Sequence, residues 1–183
     1  MARLLYSANV TLDGCITDRE GSFDWGFPSA ELHQYFNDLF RPVGTHVYGR
    51  RLYETMAVWE TMGDDDPVTR DFAEVWRGAD KIVYSRTLEQ PGTPRTRIEN
   101  DFDAGALRTL VDTADLDVLI GGAELAGQAL AAGIVDDLHT FVFPVVVGGG
   151  VRALPDGVRL DLELVGEDRF DNGVVHLHHR VLR

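Results

Sequence analysis

Phosphate-binding chemistry is written at three places where a strand-like run gives way to a new segment. Gly121-Gly122-Ala123 follows the apolar run Val118-Leu119-Ile120 and opens a helix-like stretch at Glu124. A strand end, a glycine pair and a helix start bring bare backbone N–H groups and the positive end of a helix to one point, where a phosphate can sit. A tight strand-to-helix turn that needs glycine at positive φ explains the same residues without a ligand. The segment Tyr48-Gly49-Arg50-Arg51-Leu52-Tyr53-Glu54 repeats the theme and adds two guanidiniums. Adjacent arginines at a helix start oppose the dipole's preference for carboxylates, so an anionic ligand would explain them, with a solvated pair salt-bridged to nearby acids as the alternative. Ile82-Val83-Tyr84-Ser85-Arg86 ends a third run with a hydroxyl and a guanidinium, natural partners for a further phosphate. If the three runs are parallel strands, their carboxyl ends line one sheet edge and suit an extended, multiply phosphorylated ligand.

Other constellations carry less. Gly148-Gly149-Gly150-Val151-Arg152-Ala153 matches the G-x-G-x-x-A dinucleotide fingerprint, but the fingerprint demands a helix next and Pro155 with Asp156-Gly157 forbids one of useful length. It reads as a glycine loop between antiparallel strands. No G-x-x-x-x-G-K-[ST] occurs, and the single lysine, Lys81, supplies none. A zinc deaminase needs P-C-x-x-C, whereas Cys15 is the only cysteine. His176 and His178 share a strand face, but two ligands without an acid partner argue for an ordinary face, so no metal site is expected. A serine hydrolase is unsupported because no G-x-S-x-G elbow is present.

The elements that must position these residues alternate along the chain. Strands are expected at Arg3–Val10, Thr45–Tyr48, Lys81–Tyr84, Asp117–Ile120, Leu138–Val147, Leu160–Phe170 and Val174–Val181, and helices at Ala30–Phe40, Arg51–Trp59, Val68–Arg77, Ala104–Ala114 and Glu124–Ala132. The first two thirds read as βα units around a largely parallel sheet. Beyond Ala132, Leu154-Pro155-Asp156-Gly157 and Asp171-Asn172-Gly173 are turn signals, and the second predicts a hairpin that ends the sheet antiparallel. The fold class expected is α/β, a mixed sheet with helices on both faces.

Composition agrees with a folded chain. Its 183 residues suit one domain spanning 1–183, 44% of them are hydrophobic, and 19 glycines and 7 prolines indicate neither a fibrous repeat nor disorder. The formal charge of −13 disfavours nucleic acid and anionic membrane surfaces. One cysteine, no apolar run of spanning length and a strand-like start directly after Met1 lead to the expectation of a reduced, cytoplasmic, soluble protein.

With these residues set out, the chain resembles the dihydrofolate reductase-like superfamily, and within it the reductase domain of the bifunctional riboflavin-biosynthesis deaminase-reductase (RibD) and its free-standing relatives. Five blocks in family order carry the resemblance. They are Ser7-Ala8-Asn9-Val10-Thr11-Leu12-Asp13-Gly14-Cys15-Ile16, Gly49-Arg50-Arg51-Leu52-Tyr53-Glu54, Val83-Tyr84-Ser85-Arg86-Thr87-Leu88, Ile120-Gly121-Gly122-Ala123-Glu124-Leu125, and Asp136-Asp137-Leu138 with Pro144-Val145-Val146-Val147-Gly148-Gly149-Gly150. The resemblance implies a three-layer α/β/α fold and NADPH as cofactor. It places Ala8 and Ile16 at the nicotinamide, Gly49, Arg50 and Arg51 at the pyrophosphate and adenosine side, Ser85 and Arg86 at the 2′-phosphate, and Gly121, Gly122, Ala123, Glu124 and Leu125 around the pyrophosphate. Dihydrofolate reductases carry Thr where Leu52 stands, so one hydroxyl toward phosphate is missing.

For the substrate, Trp25-Gly26-Phe27-Pro28-Ser29-Ala30-Glu31-Leu32 resembles the loop and helix start that carry the acid gripping the pterin ring. Trp25 and Glu31 are then substrate-binding, and Glu31 is the first catalytic candidate, since a buried carboxylate can accept two N–H bonds from a 2-amino-4-oxo heterocycle. A plain helix-start acid is its alternative. Asp13 is the second acid, with a turn-forming Asp-Gly as its alternative. The activity expected is NADPH-dependent hydride transfer to a pteridine- or pyrimidine-like small molecule, of the riboflavin-pathway aminouracil reductase type. Dihydrofolate reduction is the alternative, and a non-catalytic nucleotide-binding homodimer the rival class. Self-association through the strand-rich C-terminal third is expected in either case.

Overall fold

The computed structural model describes residues 1–62 and 66–183. Eight strands form one mixed sheet: β1 (Leu4–Thr11), β2 (Val43–Gly49), β3 (Asp80–Tyr84), β4 (Thr96–Glu99), β5 (Asp117–Gly121), β6 (Asp137–Phe143), β7 (Leu162–Arg169) and β8 (Val175–Val181), in the order β4-β3-β2-β5-β1-β6-β8-β7. The six strands β4, β3, β2, β5, β1 and β6 run parallel, and β8 and β7 close the sheet antiparallel. The helices are α1 (Ala30–Phe40), α2 (Arg50–Met56), α3 (Pro67–Gly78), α4 (Ala104–Thr113) and α5 (Ala123–Ala131).

The central strands bury both faces, as their unbroken apolar runs require. Leu4, Tyr6, Val47, Ile82, Val118 and Ile120 pack with Leu107 and Val111 of α4 and Leu125, Ala126 and Leu130 of α5 on one face. On the other, Leu32 and Phe36 of α1 and Phe72 and Trp76 of α3 pack with Phe141 and Phe143. Helices on both faces of a mostly parallel sheet make the three-layer α/β/α arrangement of the dihydrofolate reductase-like fold.

Three boundaries differ from expectation for identifiable reasons. β6 stops at Phe143 rather than Val147, because Pro144 follows and offers no N–H to a ladder. The helix expected to run to Trp59 ends at Met56 and tightens into a 3-10 turn at Ala57–Glu60. β4 has no apolar run to announce it: Thr96-Arg97-Ile98-Glu99 is a short, charged edge strand, the kind that protects a sheet from pairing with another chain. The hairpin at Asp171-Asn172-Gly173 forms as expected, with Phe170 and Val174 closing it through a backbone bond of 3.0 Å.

Candidate functional site

Parallel register brings the three phosphate-competent segments to one edge. Gly49 at the end of β2 pairs with Tyr84 at the end of β3, and Tyr48 pairs with Gly121 at the end of β5. Their carboxyl ends are therefore neighbours, and α2 and α5 start there. These two helices share a peculiarity. Ser29, Asp66 and Asp103 cap α1, α3 and α4 through their side chains, whereas Gly49 and Gly122 precede α2 and α5 with no side-chain cap. At this edge the first-turn N–H groups of α2 and α5 are left without a capping side chain, a preformed setting for an anion.

The two glycines of the β5–α5 turn serve different ends. A Cβ on Gly121 would come within 2.5 Å of Leu52 Cδ2, so Gly121 is there because the α2 side chain Leu52 lies against it. The same contact explains why an apolar residue stands at position 52. Gly122 adopts φ +90°, outside the range comfortable for a side chain, and a Cβ there would lie 4.0 Å from Gly49 N. A Cβ on Gly49 itself would enter open space, so packing within the chain does not demand glycine at this position. The residues present thus fit a bulky anionic group approaching the backbone closely.

The charged residues at this edge are partly spoken for. Arg50 pairs with Glu54 at 2.7 Å and donates to Thr87 Oγ1 at 2.7 Å, tying the start of α2 to the loop after β3. Arg51 is exposed and has no acid partner among the described residues. Arg86 pairs with Asp101. Ser85 is buried, and its Oγ accepts the N–H groups of Thr87 at 3.2 Å and Leu88 at 3.0 Å, which leaves its own proton to donate. Leu125 lies in the core and Glu124 is exposed, so the α5 start offers backbone N–H groups of Ala123, Glu124 and Leu125 more than side chains.

Further along the edge, Ala8 is buried within β1 and Ile16 packs against the main core from the following loop. That loop crosses the glycine triplet. Asp13 accepts from Gly148 N at 2.8 Å and Val147 N at 3.3 Å, Arg19 donates to Gly148 O at 2.9 Å, and a Cβ on Gly150 would stand 1.9 Å from Thr17 O. Gly148-Gly149-Gly150 is therefore a crossing of two backbones. The Thr11 hydroxyl holds the Asp13 carboxyl below its usual range against an opposing desolvation, and the Gly148 and Val147 N–H bonds add to the lowering.

Trp25 sits in a 3-10 turn (Asp24–Gly26) held to β1 by Asn9 Nδ2 donating to Gly26 O at 3.2 Å, with its ring edge-on to Phe143 at 5.5 Å. Its indole N–H is buried without a hydrogen-bond partner among the described residues, while Phe23 and Phe27 beside it are exposed. Glu31 differs from the buried carboxylate the sequence suggested. It is exposed, and its Oε2 accepts the backbone N–H of Asp171 at 2.8 Å. Sequence reasoning passed over Asn9, which holds the Trp25 turn, and His33, whose ring lies edge-on to Trp59 and tilted against Phe72 and whose pKa is lowered chiefly by desolvation. Asn9 lies in the first block of the resemblance, which assigns it no role, and His33 lies in none of the five blocks.

A surface cleft of about 620 Å³ lies elsewhere. It is lined by Arg41, Thr45, Glu74, Asp80 and Arg95 at the amino ends of β2 and β3. Sheets of this kind hold ligands at the carboxyl ends, and Arg41 and Arg95 are already paired with Asp71 and Asp80. His176 and His178, the strand-face pair, hydrogen-bond to other side chains: His176 to Tyr35 Oη and His139 at 3.0 Å each, and His178 to Asp137 at 2.9 Å. Among the described residues no helix is long and apolar enough to cross a membrane.

Comparison with known proteins gives the family and the fold. The family model described as RibD C-terminal domain matches residues 2–176. The uncharacterized protein YyaP of Bacillus subtilis (strain 168) is 27% identical over 177 residues, covering 96% of this chain and 93% of that protein. A pyrimidine reductase-like protein from Corynebacterium diphtheriae superposes with a TM-score of 0.69 at 17% identity, over 100% of this chain and 92% of its own. The diaminohydroxyphosphoribosylaminopyrimidine deaminase/5-amino-6-(5-phosphoribosylamino)uracil reductase of Thermotoga maritima gives 0.68 at 19% identity, over 99% of this chain and 57% of its own.

Proposed function

Because the chain belongs to the RibD C-terminal domain family, we propose that it is a reductase that binds NADPH along the carboxyl edge of β1, β5, β2 and β3 and reduces a pteridine- or pyrimidine-like small molecule. The observation that carries this reading is the meeting of two helix starts without side-chain caps, at Gly49 and Gly122, beside the Ser85–Arg86 loop. A pyrophosphate would take the N–H groups of Ala123, Glu124 and Leu125 and those at the start of α2, with Arg51 as the uncommitted cation. Ser85 and Arg86 would meet the 2′-phosphate. Bound NADPH supplies the hydride; the chain contributes position and electrostatics. Ala8 and Ile16 would wall the nicotinamide, and Trp25 would meet the substrate.

Reduction by hydride transfer also calls for a proton donor. Glu31 and Asp13 are the two acids the resemblance puts forward, and both already accept backbone N–H bonds. That observation favours one second reading, a nucleotide-binding chain without turnover of its own. Among substrates, the aminouracil type stands first and dihydrofolate second. A homodimer formed through β7 and β8 is proposed as the working assembly, and the cytoplasm as its location.

Nicotinamide fluorescence on titrating NADPH separates binding from none. Oxidation of NADPH with the aminopyrimidine phosphate, dihydrofolate or a simple carbonyl separates enzyme from binding chain. Binding with turnover of one of these is expected; no fluorescence change at millimolar NADPH removes the proposal.

A further inference from the structure

We propose that Asp101 is a positioning residue that sets the preference between NADPH and NADH by competing with the 2′-phosphate for Arg86, an inference that rests on the cofactor reading above. β4 lies beside β3 with Glu99 opposite Tyr84, and Ser85 N donates to Glu99 O at 2.9 Å. The chain leaving β4 therefore runs alongside the loop leaving β3, and Asp101 faces Arg86 across it. Both Nε and Nη2 of Arg86 donate to the single oxygen Oδ1 of Asp101, the first at 2.8 Å. The pair is exposed, 78% for Arg86 and 67% for Asp101, so neither side chain is wedged by packing.

That arrangement has an electrostatic consequence. The Arg86 guanidinium is neutralised before any ligand arrives. Arg50 and Arg97 are engaged too, by Glu54 and Glu99, and Arg51, the cation here without an acid partner among the described residues, is the one proposed above for the pyrophosphate. A 2′-phosphate must therefore break the Arg86–Asp101 pair and remain near the released carboxylate, and like charges at such range repel by about 1 kcal/mol per unit charge even in water. A ribose 2′-hydroxyl carries no such penalty, and a carboxylate can accept its proton in a hydrogen bond. Asp101 thus taxes NADPH and leaves NADH untouched.

The test is calorimetric and uses dissociation constants, with adenosine 2′-monophosphate and adenosine 5′-monophosphate as probes beside the two cofactors. Asp101→Asn removes the charge and keeps the shape at an exposed position. It should tighten NADPH and adenosine 2′-monophosphate about three- to ten-fold while NADH and adenosine 5′-monophosphate stay within about two-fold. In an Arg86→Ala background the gain should be smaller, since its larger part acts through Arg86. An unchanged NADPH/NADH ratio, or an undiminished gain without Arg86, overturns the role of Asp101 and leaves the cofactor reading standing. Failure of the unsubstituted chain to bind either cofactor overturns both.

Discussion

Glu31 and Asp171 are joined through the chain's first helix and last hairpin: the Glu31 carboxylate accepts the Asp171 N–H at 2.8 Å, and Ser29 Oγ donates to Asp171 Oδ1 at 2.7 Å. The start of α1 thereby holds the turn between β7 and β8. An acid in this position can serve the hairpin, the substrate, or both.

Glu31→Gln tells these apart. If the carboxylate assists reduction, turnover falls by roughly 10² while NADPH affinity stays within about two-fold. If it serves only the hairpin, the melting transition drops by the equivalent of about 0.5–1.5 kcal/mol with turnover unchanged. Melting temperature and turnover measured on one sample decide. Should turnover survive, Asp13→Asn is the next variant, with a stability loss expected from its bonds to the glycine loop.

Gly122 should be intolerant of any side chain. Gly122→Val at φ +90° costs roughly 1–3 kcal/mol of strain and displaces the N–H donors at the start of α5, so NADPH binding should be lost while the fold persists. Gly133→Ala is the control, because its φ of +67° carries strain far from the proposed site and a Cβ there meets nothing. Equal NADPH affinity for both variants would make the glycine pair a structural turn only.

Stability should fall on mild acidification. Burial holds His139 and His46 neutral, down to about 3 in each case, with neighbouring His178, His176 and Arg3 adding to the effect at His139 and Lys81 at His46. His176 is lowered by burial, opposed in part by Asp168. The unfolded chain takes up these protons near pH 6.5 and the folded chain does not, so stability is present above about pH 6.5 and is lost as pH falls toward the folded values. Each such group contributes up to about 1.4 kcal/mol per pH unit. Urea unfolding between pH 7 and 4.5 should show this slope, and His139→Asn should flatten it; an identical slope in the variant contradicts the assignment.

The hydrogen bonds around His176 also give a direction. Tyr35 Oη donates to Asp168 Oδ2 at 2.8 Å, so it accepts from His176 Nδ1, and His139 Nδ1 in turn donates to His176 Nε2. Tyr35→Phe should therefore weaken the packing of β7 on α1 by about 0.5–1.5 kcal/mol and raise amide exchange in β7 ahead of the central strands. Uniform exchange across the sheet would contradict this.

Self-association is expected at the exposed edge. β7 leaves Leu162, Leu164 and Val165 37–52% exposed on a strand with one unpaired side. Sedimentation at micromolar concentration should show twice the chain mass, and Leu164→Glu should return it to one. A single-mass species in the unsubstituted chain contradicts the homodimer.

The helices and most strands were legible in the chain because burial on both sheet faces writes unbroken apolar runs, and turn chemistry such as Asp171-Asn172-Gly173 is local. β4 was not, since a charged edge strand owes its conformation to β3. The three phosphate-competent segments could be named from residue types and glycine placement. Their meeting at one edge depended on strand order, which pairings between distant residues decide. The same holds for the acids: sequence put Glu31 and Asp13 near the chemistry, and only the tertiary structure showed their carboxylates bonded to Asp171 and Gly148, 140 and 135 positions away along the chain. Such partners leave no local trace, because a backbone N–H is identical at every residue and its availability is set by the fold around it.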